Sequence, residues 1–83
     1  MVIMNKLGLH ARPAAMFVRT ANRHTCDITV EKDNEEVNGK SIMGLMMLAA
    51  GCGAKIRVSA HGDGADVAII EIEELIQRKF DEE

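Results

Sequence analysis

The 83-residue chain is long enough for one small domain, residues 1–83, and has no room for a second. Hydrophobic residues make up 47% of it, enough for a two-layer core without staples, and because Phe17 and Phe80 are its only aromatics that core must be aliphatic. A net charge of −3 leaves no basic patch for nucleic acid, and no apolar run approaches the roughly 20 residues that span a bilayer. Cys26 and Cys52 are too few for a disulfide framework and read as reduced thiols of a cytoplasmic protein. The apolar run Met1–Met4 stops at Asn5-Lys6, too short for a signal peptide.

Val2 to Asn5 reads as a short first strand. From Arg12 to about Arg23 the pattern is helical, with Ala14, Phe17, Val18 and Ala21 on one stripe and Pro13 tolerated in the first turn. Asp27–Glu31 alternates, with Ile28 and Val30 inward. Asp33-Asn34-Glu35 supplies turn residues before a return strand, Glu36–Asn38. Ser41 then caps an apolar helical run that is expected to end at Gly51, with Leu45, Leu48 and Ala49 facing inward. Lys55–Ala60 alternates again as a fourth strand, and His61-Gly62-Asp63-Gly64 turns the chain. Ala65, Ala68, Ile69, Ile72, Leu75 and Ile76 make one stripe of a helix from Ala65 to about Lys79. The order βαββαβα predicts an α+β open-faced sandwich, a four-stranded, mainly antiparallel sheet with three helices on one face.

His10 falls where the first helix is about to begin. Backbone N–H groups at a helix start lack internal partners, carry partial positive charge and bind anions, phosphate above all. Arg12 adds a planar donor fork suited to phosphate oxygens. A cation at a helix N-terminus is itself unfavourable by roughly 0.3–1 kcal/mol, so its presence there suggests a use. These parts suit a histidine that accepts a phosphoryl group, holds it briefly and passes it on. A lone histidine reads as a surface residue. The glycine-flanked turn and Arg12 set His10 apart from His24, which follows a helix end, and from His61, in a glycine-rich turn.

Ser41 serves equally as a plain helix cap and as an acceptor of regulatory phosphorylation, and the two readings are compatible. Gly39-Lys40-Ser41 is not a P-loop, since the glycine required five residues before Gly39 falls on Asn34. In the helix after Ser41, Ile42, Met43, Met46 and Met47 form a second apolar stripe, opposite the one facing the core. A domain this small has little to lay over it, and an exposed methionine-rich patch suits a surface that meets several partners. Cys26, Cys52 and the histidines follow no zinc spacing, so no metal is expected.

Gly8-Leu9-His10-Ala11-Arg12-Pro13-Ala14 closely resembles the active-site signature of the histidine-containing phosphocarrier (HPr) proteins of the bacterial sugar phosphotransferase system. Asn38-Gly39-Lys40-Ser41-Ile42-Met43-Gly44-Leu45-Met46 looks like that family's regulatory serine and its helix. The spacing between the two fits, and the resemblance covers essentially the whole chain. It implies the same open-faced sandwich and a cytoplasmic carrier without cofactor, not an enzyme that turns over a substrate alone. Enzyme I, charged from phosphoenolpyruvate, would phosphorylate His10 on Nδ1, with Arg12 stabilising the phosphate. Enzyme IIA domains would accept the group, and the stripe Ile42, Met43, Met46 and Met47 would dock both. A serine kinase/phosphorylase acting on Ser41 and transcriptional regulators are further partners that the resemblance raises.

The acceptor could serve sugar transport or the regulatory nitrogen branch. Phe80-Asp81-Glu82-Glu83 looks somewhat like nitrogen-branch paralogues, whereas the Ser41 segment looks more like sugar-branch carriers. A regulator-binding module without phosphotransfer is the alternative from another class; such paralogues lose the histidine that is present here as His10. One departure from the family is the start: HPr chains usually carry several more residues before the position of Asn5. Either the first strand is curtailed or the true start lies upstream.

Overall fold

The computed structural model describes residues 1–82. Its elements are α1 (Ala11–Ala21), β1 (Asp27–Lys32), β2 (Glu35–Asn38), α2 (Ile42–Met47), β3 (Arg57–His61) and α3 (Ala65–Gln77). The sheet is antiparallel with order β2-β1-β3. Lys32 pairs with Glu35 across a two-residue turn in which Asp33 (φ 52°) and Asn34 (φ 70°) are both left-handed. That conformation matches the right-handed twist of a hairpin, and Asp and Asn tolerate it best among residues with a side chain.

The expected first strand, Val2–Asn5, is not formed, so the sheet has three strands where four were expected. Val2 makes one isolated antiparallel bridge, with Lys55. Around it the Ile3 amide donates to the Ala54 carbonyl (2.9 Å) and the Gly53 amide to the Ile3 carbonyl (2.7 Å). The pairing does not propagate because its partner is the irregular stretch before β3, with Gly53 at φ 89°, and because the chain turns inward at Asn5. The strand expected at Lys55–Ala60 accordingly starts later, at Arg57, and takes in His61.

Periodicity sets which face is buried. Ile28 and Val30 alternate inward from β1, and the α1 stripe Ala14, Phe17, Val18 and Ala21 is buried as expected. Ala68, Ile72, Leu75 and Ile76 close the core from α3. The α2 helix is shorter than expected. It stops at Met47, and Ala49, at φ 53°, turns the chain out of the helix before Gly51 is reached. Ala49 is therefore exposed, and Ala50 takes the inward place expected for it.

The last helix also ends early. After Gln77 the residues Lys79, Phe80 and Asp81 adopt φ values of 57°, 55° and 59°, a left-handed turn without glycine. Each such residue costs roughly 1–2 kcal/mol. Burying Phe80, which is 1% exposed, returns roughly 1.5–3 kcal/mol. Hydrogen bonds therefore help to hold the turn: the Asp81 amide to the Arg78 carbonyl (3.0 Å) and the Glu82 amide to the Lys79 carbonyl (2.9 Å). The reversal carries Glu82 back toward the start of α1. Among the described residues, no helix is long and apolar enough to cross a membrane.

Candidate functional site

His10 is the N-cap of α1, with extended backbone (φ −79°, ψ −170°) and a side chain that does not cap the helix. The helix begins at Ala11, so the amides of Ala11 and Arg12 have no helical carbonyl one turn back, and Pro13 has no amide hydrogen to strand. The result is an open helix start with donors available to an anion. Arg12 is exposed in this first turn and, among the described residues, makes no ion pair.

The loop before His10 is fixed by backbone bonds. The Leu9 amide donates to the Ala50 carbonyl (2.9 Å), and the His10 amide to the Gly8 carbonyl (3.0 Å). Gly8 has φ 72°, and a side chain there would collide with the Ala50 carbonyl oxygen. Only glycine permits so close an approach of the His10 loop to the exit of α2.

The His10 ring is held from the far end of the chain. Its Nε2 lies 3.1 Å from Oε2 of Glu82. The other carboxylate oxygen of Glu82 accepts from Nδ2 of Asn5 at 3.0 Å. Nδ2 also donates to the Gly8 carbonyl at 2.8 Å. Asn5 is fully buried and its Oδ1 has no partner among the described residues. Neither Asn5 nor Glu82 stands out in the sequence as a site residue. Asn5 reads as the polar stop of an apolar run, and nothing local to Glu82 signals a neighbour 72 residues away.

Ser41 is the N-cap of α2, and its Oγ accepts from the Gly44 amide at 3.0 Å. Beyond it, Ile42, Met43 (75% exposed), Met46 and Met47 (67% exposed) lie open, while Leu45 and Leu48 are buried. A shallow depression of about 250 Å³ joins the two regions, lined by Leu7, Leu9, His10, Met46, Ala49, Ala50 and Gly51. His10 and the methionine face are thus continuous through Met46. Leu7, 71% exposed, extends the apolar surface on the His10 side and is not marked by the periodicity of any helix.

The remaining histidines and the cysteines stand apart from this site. His24 Nε2 lies 2.8 Å from Oε1 of Glu71, tying the end of α1 to α3, and His61 is exposed at the end of β3. Cys26 is buried and Cys52 exposed. Among the described residues no three His, Cys, Asp or Glu side chains gather as a metal site would require.

The sequence and the fold both match known proteins. Residues 1–78 match the family described as the PTS HPr component phosphorylation site. The phosphocarrier protein HPr of Pseudomonas aeruginosa is 49% identical, over 96% of this chain and 90% of that protein. The HPr-like protein Crh of Bacillus subtilis is 46% identical, over 89% and 87%. The crystal structure of HPr-C-His from Thermoanaerobacter tengcongensis shares 52% identity and a TM-score of 0.96, covering 100% of this chain and 93% of that one. An open helix start beside a tethered histidine, on an open-faced α+β frame, is thus found in a chain that belongs to the HPr family, the phosphocarriers of the phosphotransferase system.

Proposed function

We infer that this carrier takes its phosphoryl group on His10 from enzyme I, charged by phosphoenolpyruvate, and hands it to an enzyme IIA domain. A ring nitrogen of His10 attacks phosphorus in line; the new P–N bond forms as the donor's bond breaks. Charge on the phosphoryl oxygens is met by the free amides of α1 and by the Arg12 guanidinium. The face formed by Ile42, Met43, Met46 and Met47 docks the donor and the acceptor in turn. The observation that carries this reading is the uncapped start of α1, with His10 as its N-cap and Arg12 exposed beside it. The chain turns over no substrate alone and works in the cytoplasm, without a cofactor.

The Ser41 segment favours a sugar-branch acceptor. A regulatory role through phosphorylation of Ser41, by a serine kinase and with transcriptional regulators as partners, is the second reading. It is favoured by the similarity to the proteins named Crh. Incubation with enzyme I and labelled phosphoenolpyruvate tests the carrier reading. Wild type should take up one acid-labile phosphoryl group, and His10→Ala should take up none while keeping its thermal transition. Label retained in His10→Ala, or a wild type that stays unlabelled, rejects His10 as acceptor.

A further inference from the structure

The contact between Glu82 and His10 has a chemical consequence, given that His10 is the acceptor. A carboxylate only accepts hydrogen bonds, so the 3.1 Å contact between Glu82 Oε2 and His10 Nε2 requires the proton to be on Nε2. The neutral ring then carries its lone pair on Nδ1. The carboxylate is itself oriented. Its Oε1 accepts from Asn5 Nδ2 (3.0 Å), and the same Nδ2 donates to the Gly8 carbonyl (2.8 Å). Both partners of the Asn5 amide are acceptors, which fixes its nitrogen as the atom facing them. Asn5 is fully buried, and the backbone of Glu82 is tied by its amide to the Lys79 carbonyl (2.9 Å) behind the buried Phe80. The glutamate is thus held at both its backbone and its carboxylate. The left-handed turn at Lys79–Asp81 is a backbone cost at the place that delivers Glu82 to the ring, and such strain tends to persist where it serves a site.

We propose that Glu82, clamped by Asn5, is a positioning residue that holds His10 in its Nε2–H form and directs phosphoryl transfer to Nδ1. The lone pair on Nδ1 forms the P–N bond, and the donor's bond to phosphorus breaks with its electron pair returning to the donor. Nε2 keeps its proton, so the product ring carries a positive charge beside the phosphoryl group. The Glu82 carboxylate faces that charge and offsets it, as the aspartate of a serine-protease triad does for its imidazolium. The onward step runs in reverse: the ring releases the phosphoryl group to the next acceptor and becomes neutral with Nε2 still protonated.

Two variants separate the charge from the hydrogen bond. Glu82→Gln keeps an acceptor oxygen without the charge, and Glu82→Ala removes both. Single-turnover transfer from phosphorylated enzyme I should slow roughly ten-fold in Glu82→Ala, with Glu82→Gln between it and wild type, while half-saturation by enzyme I stays unchanged. Nitrogen-15 NMR of His10 should show the Nε2–H form dominant in wild type and a mixture of tautomers in Glu82→Ala. The phosphoryl group of wild type should be on Nδ1. Wild-type rates in both variants, an effect confined to half-saturation, or a phosphoryl group on Nε2 would each overturn the role of Glu82. Those results leave His10 as the acceptor, a point decided separately by labelling of His10→Ala.

Discussion

Two helix starts in this molecule carry the candidate chemistry, and they are finished in opposite ways. At α2 the Ser41 hydroxyl folds back onto the Gly44 amide, so the start is closed by its own side chain. At α1 the N-cap residue is His10, whose ring turns away to Glu82 and leaves the first amides unclaimed. Closing a helix with Ser, Thr, Asp or Asn stabilises it by about 1 kcal/mol, and α1 forgoes this. What it keeps in exchange is a set of amide donors suited to an anion, which no internal group claims among the described residues. Strength and availability compete for the same N–H groups, and each helix resolves that competition in one direction. A carrier that must hold a phosphoryl group and then release it needs the open form.

The contrast breaks most severely at Gly8. A methyl group there meets the Ala50 carbonyl oxygen, and φ 72° is strained for any residue with a side chain. Gly8→Ala should cost about 3 kcal/mol or more in denaturant unfolding and should also slow phosphorylation, because the loop that aims His10 can no longer lie against the exit of α2. An unfolding midpoint equal to that of wild type would mean that the His10 loop does not depend on this approach.

Arg12→Ala sharpens the comparison from the functional side. Arg12 is exposed and makes no ion pair among the described residues, so folding should not depend on it. Transfer to and from His10 should fall roughly ten- to a hundred-fold, as for the loss of one strong donor to a developing charge. The melting temperature should hold or rise slightly, because a cation leaves a helix N-terminus. A large fall in melting temperature with normal transfer would make Arg12 a structural residue instead.

Features set by local pattern were legible in the sequence; features set by long-range contact were not. The α1 stripe, the alternation in β1 and the position of His10 at a helix start follow from spacing within a few residues, and the structure places them there. Gly51 looks like the stop of α2, but the helix ends at Met47 and Ala49 turns left-handed, which puts Ala50 under the core and its carbonyl against Leu9. The missing first strand depends on the irregularity of its partner at Gly53–Lys55, which apolar content in Met1–Met4 does not reveal. The link from Asn5 through Glu82 to His10 joins opposite ends of the chain. No periodicity encodes it, and the left-handed turn that makes it contains no glycine to announce it.

Substitution at Ser41 gives the smallest effect on the fold and the finest test of the contrast. Ser41→Ala removes the 3.0 Å bond to the Gly44 amide and should cost about 1 kcal/mol of stability, whereas His10→Ala removes no cap from α1. Ser41→Asp restores an acceptor and adds a negative charge. Its capping strength equals that of serine, and the six-residue α2 has only a short dipole to reward the charge, so stability should match wild type or exceed it by less than about 0.5 kcal/mol. The larger consequence belongs to docking. The new charge sits at the edge of the open face formed by Ile42, Met43, Met46 and Met47, which is continuous with His10 through Met46. A partner covering that face must desolvate the carboxylate, which weakens association. Half-saturation in the enzyme I assay should therefore rise for Ser41→Asp and stay near wild type for Ser41→Ala, the less stable protein. That inversion separates a charge effect from a folding effect. If Ser41→Asp is phosphorylated as efficiently as wild type at low protein concentration, the docking face does not reach residue 41, and a phosphate added there would have no physical route to control transfer at His10.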